Sequence, residues 1–244
     1  MPSPLNRPST CLGLLRRKEV WSLTRRARVL LLLLFTGLAV AFVHNIHGFL
    51  AVNSPVNSGV LVVEGWVPEY AATNFIAHHT NYSVIYSIGG PAHVMGKTPE
   101  VSDTYASTMA YRLVRAGVPK EKVRIIPAWN FQSDRTYSAA VAMRDWCMTN
   151  GVQISALNIV SLGTHARRTR LLHAKAFGPG VKMGIIALKN KDYDPGHWWR
   201  SSEGIKEVFS EAAAYLYVRL FFWPDYRVPV HRIHCQMPHL TQYV

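Results

Sequence analysis

The stretch that decides the fold is Ile159-Val-Ser-Leu-Gly-Thr-His-Ala-Arg-Arg-Thr-Arg-Leu-Leu-His-Ala-Lys-Ala-Phe177. Its apolar run over residues 157–162 predicts a buried strand, Gly163 breaks the run, and apolar residues then recur at a helical spacing. The start of such a helix has backbone N–H groups without partners, and here it carries basic side chains where acidic ones are usual. These side chains are His165, Arg167, Arg168 and Arg170. The stretch therefore predicts an anion site, with a solvated basic helix face as the alternative.

The same alternation of strand and helix continues on both sides of this stretch. Apolar runs predict further strands at residues 59–65, 83–90, 123–126 and 181–188, and helical spacing predicts helices at residues 70–79, 104–116, 134–150 and 202–222. The connections are too long for β-hairpins, so the strands are expected to run parallel. The fold class is therefore α/β, a Rossmann-like three-layer α/β/α domain with a mostly parallel sheet.

An uncharged, strongly apolar segment precedes the domain. Residues 29–51 contain five consecutive leucines and are long enough for a membrane span, which needs about 20 residues. The basic residues before position 29 orient the N-terminus towards the cytoplasm and the remainder of the chain to the outer side of the inner (plasma) membrane. A cleaved signal peptide, with Ala39-Val-Ala41 as its processing site, is the alternative.

These features divide the 244 residues into five segments. Residues 1–28 are a cytoplasmic basic segment, 29–51 a transmembrane signal anchor, 52–58 a linker, 59–223 the α/β domain and 224–244 a C-terminal tail. The formal net charge is +13, and about half of this excess lies in the first segment. Since the positive-inside rule explains that cluster, no nucleic-acid partner is expected. Cys147 and Cys235 are both predicted to lie on the outer side of the membrane. There they can form one disulfide or remain two free thiols.

Residues suited to binding or catalysis gather at the predicted carboxyl ends of the strands, where open α/β sheets bind ligands. They are Glu64, Gly65, Trp66, Gly89, Gly90 and His165. Glycines allow a ligand to approach the backbone, and Glu64 is expected to act as a general base or to pair with a nearby arginine. His165 and Glu64 are the predicted catalytic residues.

Two further segments are expected at the same edge. Arg135 and Thr136 begin a helix, and Trp199 and Arg200 precede another. The sequence lacks a G-x-G-x-x-G turn after a strand and a G-x-S-x-G elbow, so a dinucleotide site and a serine-hydrolase site are both poorly supported. The histidines and Cys235 of the tail lack a second ligand pair, and no metal site is predicted. A cofactor cannot be assigned from the sequence.

From about residue 59 to 222 the sequence resembles the YdcF/SanA/ElyC family of envelope proteins. The resemblance rests on residues 62–68, Gly89-Gly90, residues 116–119, residues 134–137 and residues 163–168. It implies a Rossmann-like domain, often held by one N-terminal helix on the outer side of the inner membrane, and a link to envelope integrity and wall-precursor metabolism. Carried over by position, it marks Thr136, His165 and Arg168, with Arg167 as a neighbour. The Glu-Gly-Trp sequence after the first strand departs from the family's glycine-rich turn and indicates a distinct branch.

The sequence as a whole predicts a membrane-anchored envelope protein that binds or acts on a phosphorylated or lipid-linked precursor. Arginines 135, 167 and 168 would hold the anion, helped by Thr136 and by the glycines, while His165 would transfer protons. Two other classes stay open. One is a non-catalytic envelope component that docks on anionic headgroups or on a membrane partner, and the other is a binder of nucleotides or S-adenosylmethionine.

Overall fold

The computed structural model describes residues 22–79, 81–92, 100–129 and 134–224, together with the backbone at 10–11 and 15–16. The chain divides into two compact units, Met1–Phe42 and Val43–Val244. The strands of the second unit are β1 (Val60–Glu64), β2 (Val84–Gly89), β3 (Val123–Pro127), β4 (Ala156–Leu162) and β5 (Lys182–Leu188). The helices are α1 (Arg25–Leu50), α2 (Glu69–His78), α3 (Tyr105–Arg115), α4 (Arg135–Thr149), α5 (Ala166–Phe177) and α6 (Ser202–Leu220).

The five strands form one parallel sheet in the order β3-β2-β1-β4-β5. Val62 of β1, for example, pairs with Tyr86 of β2 and with Ile159 of β4. The order reverses between β1 and β4, which places the topological switch point at the carboxyl ends of these two central strands. The predicted Rossmann-like α/β fold is confirmed.

Helices cover both faces of the sheet, which explains why its strands are almost continuously apolar. On one face, Val62 and Ile159 pack with Met143 of α4 and Ala166 of α5. On the other face, the neighbouring strand residues pack against α2 and α3; they are Leu61, Val63, Val160 and Leu162. Helix α6 forms a further layer, where its Val218 joins a buried cluster with residues of α4 and α5.

Three helices begin at a side chain that caps the first turn. The Thr104 hydroxyl accepts a hydrogen bond from Ser107 N at 3.2 Å and caps α3. The Asp134 carboxylate accepts from the N–H groups of residues 136 and 137 and caps α4, while the Ser201 hydroxyl accepts from Gly204 N at 3.0 Å and caps α6. Each cap satisfies N–H groups that a helix leaves open at its start.

Helix α1 is long and apolar enough to cross a membrane. Its last two turns, from Val43 onwards, belong to the second unit, and the Leu50 side chain is fully buried there beside Trp198 and Val208. The following residues, predicted as a free linker, are bonded to the sheet: Ser54 pairs with Ile185 of the edge strand β5. The sequence does not reveal these contacts because they join residues more than a hundred positions apart. The predicted tail is described only at Pro224, and residues 225–244 lie outside the described residues.

Candidate functional site

A cleft of about 980 Å³ opens at the switch point of the sheet. Its lining combines the carboxyl ends of β1, β2 and β4 with the starts of α3, α4 and α5 and one side of α6. The polar and charged members of this lining are Glu64, Tyr105, Asp134, Arg135, Thr136, His165, Arg168, Glu207 and Glu211, and Trp66, Gly89 and Gly90 also belong to it. Parallel strands end at a common edge, so residues that follow different strands meet here.

The imidazole of His165 lies near the centre of this lining. The tight turn Gly163–His165, in which Gly163 adopts a left-handed φ of 47°, brings it directly over the end of β4. Its Nδ1 lies 2.9 Å from Glu211 Oε1, and its Nε2 lies 3.4 Å from Thr136 Oγ1. The ring also makes an edge contact with Trp66, with 4.8 Å between the ring centroids. Three different elements thus fix its orientation.

The contacts of Nδ1 determine which tautomer the neutral ring adopts. Arg168 Nη2 also lies 2.9 Å from Nδ1, so the nitrogen has both a donor and a carboxylate beside it. A bare Nδ1 lone pair would face the Glu211 oxygen and be repelled, whereas a protonated Nδ1 donates to it. Arg168 Nη2 can then donate to Glu211 Oε1 instead, at 3.1 Å. The contact with Glu211 therefore favours a proton on Nδ1 of the neutral ring, which leaves the Nε2 lone pair directed towards the Thr136 hydroxyl.

Glu64 lies at the end of β1 and is buried, with 2% of its surface exposed. Its Oε2 accepts hydrogen bonds from Ser161 Oγ at 2.6 Å and from Thr169 Oγ1 at 3.2 Å. Its Oε1 lies 4.0 Å from His165 Nε2. Among the described residues Glu64 forms no ion pair with an arginine; the ionisable side chain that it faces is the His165 imidazole.

Arg168 lines the cleft, but its guanidinium group already forms ion pairs with two carboxylates. Its Nε donates to Glu211 Oε2 at 2.8 Å, and its Nη1 donates to Asp134 Oδ2 at 3.0 Å. Burial alone would lower the pKa of Arg168, but the hydrogen bond to Glu211 and the nearby carboxylates raise it above the ordinary value. Burial likewise opposes ionisation of Glu211, yet hydrogen bonds from His165 and Arg168 lower its pKa to about 2. Arg168 therefore serves to hold the two acids in place.

Arg135 is placed differently. It is the first residue of α4, it is exposed at the edge of the cleft, and it makes no ion pair with any residue of the described ranges. Thr136 follows it and is buried, with its hydroxyl directed at His165. Of the three arginines predicted to hold an anion, Arg135 is the one that lines the cleft without a carboxylate partner among the described residues.

The three predicted glycines, Gly65, Gly89 and Gly90, differ in their position relative to the cleft. A Cβ on Gly65 would overlap the backbone carbonyl of Tyr105 and lie 2.9 Å from Ala106 N. A Cβ on Gly89 would lie 3.0 Å from Tyr105 Cβ. Both glycines thus allow α3 to approach the ends of β1 and β2 closely. Gly89 and Gly90 line the cleft, whereas Gly65 is not part of the lining.

The structure places three of the predicted binding residues away from the cleft. Arg167 donates to the carbonyl of Phe49 at the end of α1 and lies over the Phe49 ring, 3.9 Å from its centroid. Trp199 packs against His44, also in α1, with 5.3 Å between the ring centroids, and Arg200 is exposed. The preceding Trp198 is buried, whereas Trp199 is half-buried.

Sequence reasoning missed the acids of α6. Glu211 orients His165. Glu207 accepts hydrogen bonds from three groups that lie behind the turn Gly163–His165. These donors are Thr164 Oγ1 at 2.9 Å, Tyr193 OH at 3.0 Å and Asn190 Nδ2 at 2.7 Å. Burial and the Glu207 charge raise the pKa of Tyr193. The sequence does contain a signal for this role, because Glu207 and Glu211 are two acids four residues apart in an apolar helix. Like charges at this spacing destabilise a helix unless each acid has a partner.

The charged side chains of the lining are four carboxylates and two guanidinium groups. The cleft therefore carries an excess of negative charge when His165 is neutral. Within the described ranges, no group of three or more His, Cys, Asp or Glu side chains is arranged to hold a metal ion. Comparisons with protein-family models, with curated proteins and with solved structures find no match to this chain.

Proposed function

We propose that this protein is a membrane-anchored enzyme in which His165 transfers protons to and from a substrate bound in the switch-point cleft. The alignment of Glu211, His165 and Thr136 is the observation that supports this function. A carboxylate that fixes one imidazole nitrogen, so that the other faces a hydroxyl, is the arrangement on which many acid–base enzymes depend.

The proposed step begins with His165 in its neutral form. Nε2 removes a proton from a water molecule as the water oxygen forms a bond to an electrophilic carbon of the substrate, and the bond from that carbon to the leaving oxygen breaks. An oxygen atom can lie within hydrogen-bonding reach of both Nε2 and Glu64 Oε1, because these two atoms are 4.0 Å apart. The imidazolium that forms lies between the carboxylates of Glu64 and Glu211, which stabilise its charge. The same group then returns the proton to the leaving group.

The charges of the cleft suggest how a phosphorylated or lipid-linked envelope precursor would bind. Its phosphate would lie at the edge, where Arg135 is exposed, because the carboxylates repel an anion from the interior. Its uncharged, hydroxyl-bearing part would enter the cleft beside Trp66, whose ring is 40% exposed. A substrate with an anionic end and a neutral reactive end therefore fits better than a small free anion.

The proposed location is the outer side of the inner membrane. Helix α1 supplies the length and apolar character of a span, and basic residues precede it. Those residues favour a cytoplasmic N-terminus. A binder of nucleotides or S-adenosylmethionine is the alternative that the position at the switch point favours, since many α/β proteins hold such ligands there.

Thermal unfolding of the full-length chain in mild detergent tests the substrate class. We would add inorganic phosphate, a sugar, the matching sugar phosphate, a nucleotide and S-adenosylmethionine. A ligand at a hundred times its dissociation constant stabilises the folded state by about 2.7 kcal/mol. For a domain of this size, that stabilisation corresponds to a rise in Tm of about 5–11 °C. The sugar phosphate should produce this rise, and phosphate or the sugar alone should produce less.

Two variants separate binding from chemistry. Arg135→Ala should abolish the advantage of the sugar phosphate over the sugar, while Arg124→Ala, at an exposed arginine of β3 outside the lining, should preserve it. His165→Asn should still bind the ligand but not convert it, as followed by carbon-13 NMR of the labelled ligand. Stabilisation by a nucleotide or S-adenosylmethionine alone would support the alternative, and no stabilisation by any of these ligands would contradict both.

A further inference from the structure

Helix α6 has an apolar face on the side away from the cleft. Four large apolar side chains recur along it at spacings of four, seven and four residues, which places them on one side of the helix. They are Ile205, Phe209, Leu216 and Leu220, with 42%, 53%, 54% and 56% of their surfaces exposed. Glu207 and Glu211 lie on the opposite side and line the cleft. Single exposed apolar residues are ordinary, but a continuous row of them along a helix marks an interaction surface.

Exposed aromatic residues and a lysine also lie near the end of the helix, beside α5. Phe221 and Trp223 are both 72% exposed. Lys175 of α5 donates to Phe222 O at 2.7 Å, and its Nζ lies 4.4 Å from the centroid of the Trp223 ring. Tryptophan beside lysine suits the boundary between lipid tails and headgroups, where a ring can be half-immersed while the ammonium group stays in water.

The position of α6 relates this surface to the membrane. Trp198, just before α6, donates from Nε1 to Val43 O at 3.1 Å. Tyr215 of α6 packs edge-on against Phe49, with 5.6 Å between the ring centroids. Both partners belong to the last two turns of α1, the helix that is apolar enough to span a bilayer. The second unit follows the apolar span directly in the chain, so its attachment to the span would keep it at the membrane.

We infer that the α6 face, formed by Ile205, Phe209, Leu216 and Leu220, docks on the lipid bilayer that α1 crosses. Lys206 and Arg219 are exposed on α6 and would meet anionic headgroups. The apolar side chains would enter the interface to a depth of about 5–10 Å. The cleft lies on the other side of the same helix, so the bilayer surface would be within about one helix diameter, roughly 10–12 Å.

Collision accessibility of spin labels on the full-length chain tests this inference. In a Cys11→Ser, Cys235→Ser background, with buried Cys147 retained, we would label Phe209→Cys or Leu216→Cys and reconstitute the protein in nanodiscs of phosphatidylcholine and phosphatidylglycerol. Both positions are more than half exposed. The label at position 209 removes one edge contact, with Trp198 at 5.9 Å between the ring centroids, and the label at position 216 tests the face without that change. Met148→Cys is the matched control, because Met148 is an apolar residue of α4 with 71% of its surface exposed.

The inference predicts a ratio of oxygen collisions to nickel-chelate collisions several-fold higher at positions 209 and 216 than at 148, since oxygen concentrates in lipid and the chelate stays in water. Equal ratios at the three positions would overturn it. Low accessibility to both reagents with dipolar broadening between labels would show that a second copy covers the face. Low accessibility that rises when residues 225–244 are deleted would show that the tail covers it. The last two outcomes also overturn the inference.

Discussion

Replacing Glu211 by glutamine should destabilise the domain by about 3 kcal/mol, and the reason lies in its two partners. The carboxylate accepts hydrogen bonds from His165 Nδ1 and from Arg168, and these contacts lower its pKa from 4.5 to about 2 despite burial. A tenfold change in proton affinity corresponds to about 1.4 kcal/mol. The ionised form therefore contributes about 3 kcal/mol to the free energy of unfolding at neutral pH. An amide keeps the shape but cannot supply this charge.

A second argument leads to the same magnitude. Removing one member of a buried ion pair costs about 3–5 kcal/mol, because the other charge stays buried without compensation. Arg168 would keep Asp134 Oδ2 at 3.0 Å, so the cost should lie at the lower end of that range. For a domain of this size, about 3 kcal/mol corresponds to a Tm lowered by about 6–12 °C.

The effect should depend on pH in a defined direction. A carboxyl group whose pKa is lower in the folded state stabilises the fold fully above its unfolded pKa of 4.5, and this stabilisation disappears as the pH falls through the folded pKa of about 2. The Tm difference between wild type and Glu211→Gln should therefore be largest at neutral pH and roughly halved near pH 3. Thermal unfolding of the full-length chain in mild detergent, followed by tryptophan fluorescence, measures both values.

Glu121→Gln, at an exposed carboxylate outside the cleft, is the control and should leave Tm unchanged. Two results would refute the reasoning. A Tm difference below about 2 °C at neutral pH would mean that the partners of Glu211 contribute little net stability. A difference that stays constant down to about pH 3 would mean that the lost stability arises from packing and not from the charge.

Three further substitutions or treatments test the packing around the site. Gly65→Ala should lower stability by about 1–3 kcal/mol or more in the same thermal assay, because its Cβ would overlap the Tyr105 carbonyl. Leu50→Ala should cost about 2–5 kcal/mol, since this fully buried side chain fastens the end of α1 to the domain; exposed Leu23→Ala should cost little. Alkylation at neutral pH, read by mass spectrometry, should spare Cys147 until the protein unfolds, because burial raises its thiol pKa to about 11.

The sheet was predictable because its determinants are local. Each strand is a short apolar run ended by a glycine, proline or polar residue, and α3, α4 and α6 each begin at a capping side chain. The alternation of these elements then requires parallel strands. The pairing of Ser54 with β5 and the burial of Leu50 could not be predicted, because both depend on which distant surfaces meet in the folded chain.

The topology of the sheet made one part of the site predictable from the sequence. Glu64 and His165 follow adjacent parallel strands, so the rule for sheet edges brings them together. Helical geometry also shows why Arg167 and Arg168 separate: consecutive helical residues point about 100° apart, and only one can face the cleft. Glu211 escaped prediction because the rotation of α6 about its axis is set by packing, which the sequence of a broadly apolar helix does not specify.

The basic residues at the start of α5 do not determine the net charge of the cleft, for a physical reason. Arg168 is close to His165 in sequence, but its carboxylate partners, Asp134 and Glu211, come from positions 34 and 43 residues away. A cluster of cations in one segment therefore says nothing about the sign of the completed cleft, where acids outnumber guanidinium groups. A free phosphate would have to displace Asp134 or Glu211 from Arg168 to bind in the interior, which is why the proposed phosphate position is at exposed Arg135.

Helix α6 connects the proposed chemistry to the proposed membrane contact. Glu211 favours a proton on Nδ1 of neutral His165, which leaves the Nε2 lone pair as a base, so the rotation of α6 about its axis governs whether that base is available. The apolar face lies on the opposite side of the same helix, and a helix that rotates by one residue moves both sides by about 100°. A bilayer that holds the apolar face in one orientation would therefore also hold Glu211 against His165. On this argument, the lipid surface would stabilise the active arrangement as well as bring the protein close to lipid-linked substrates.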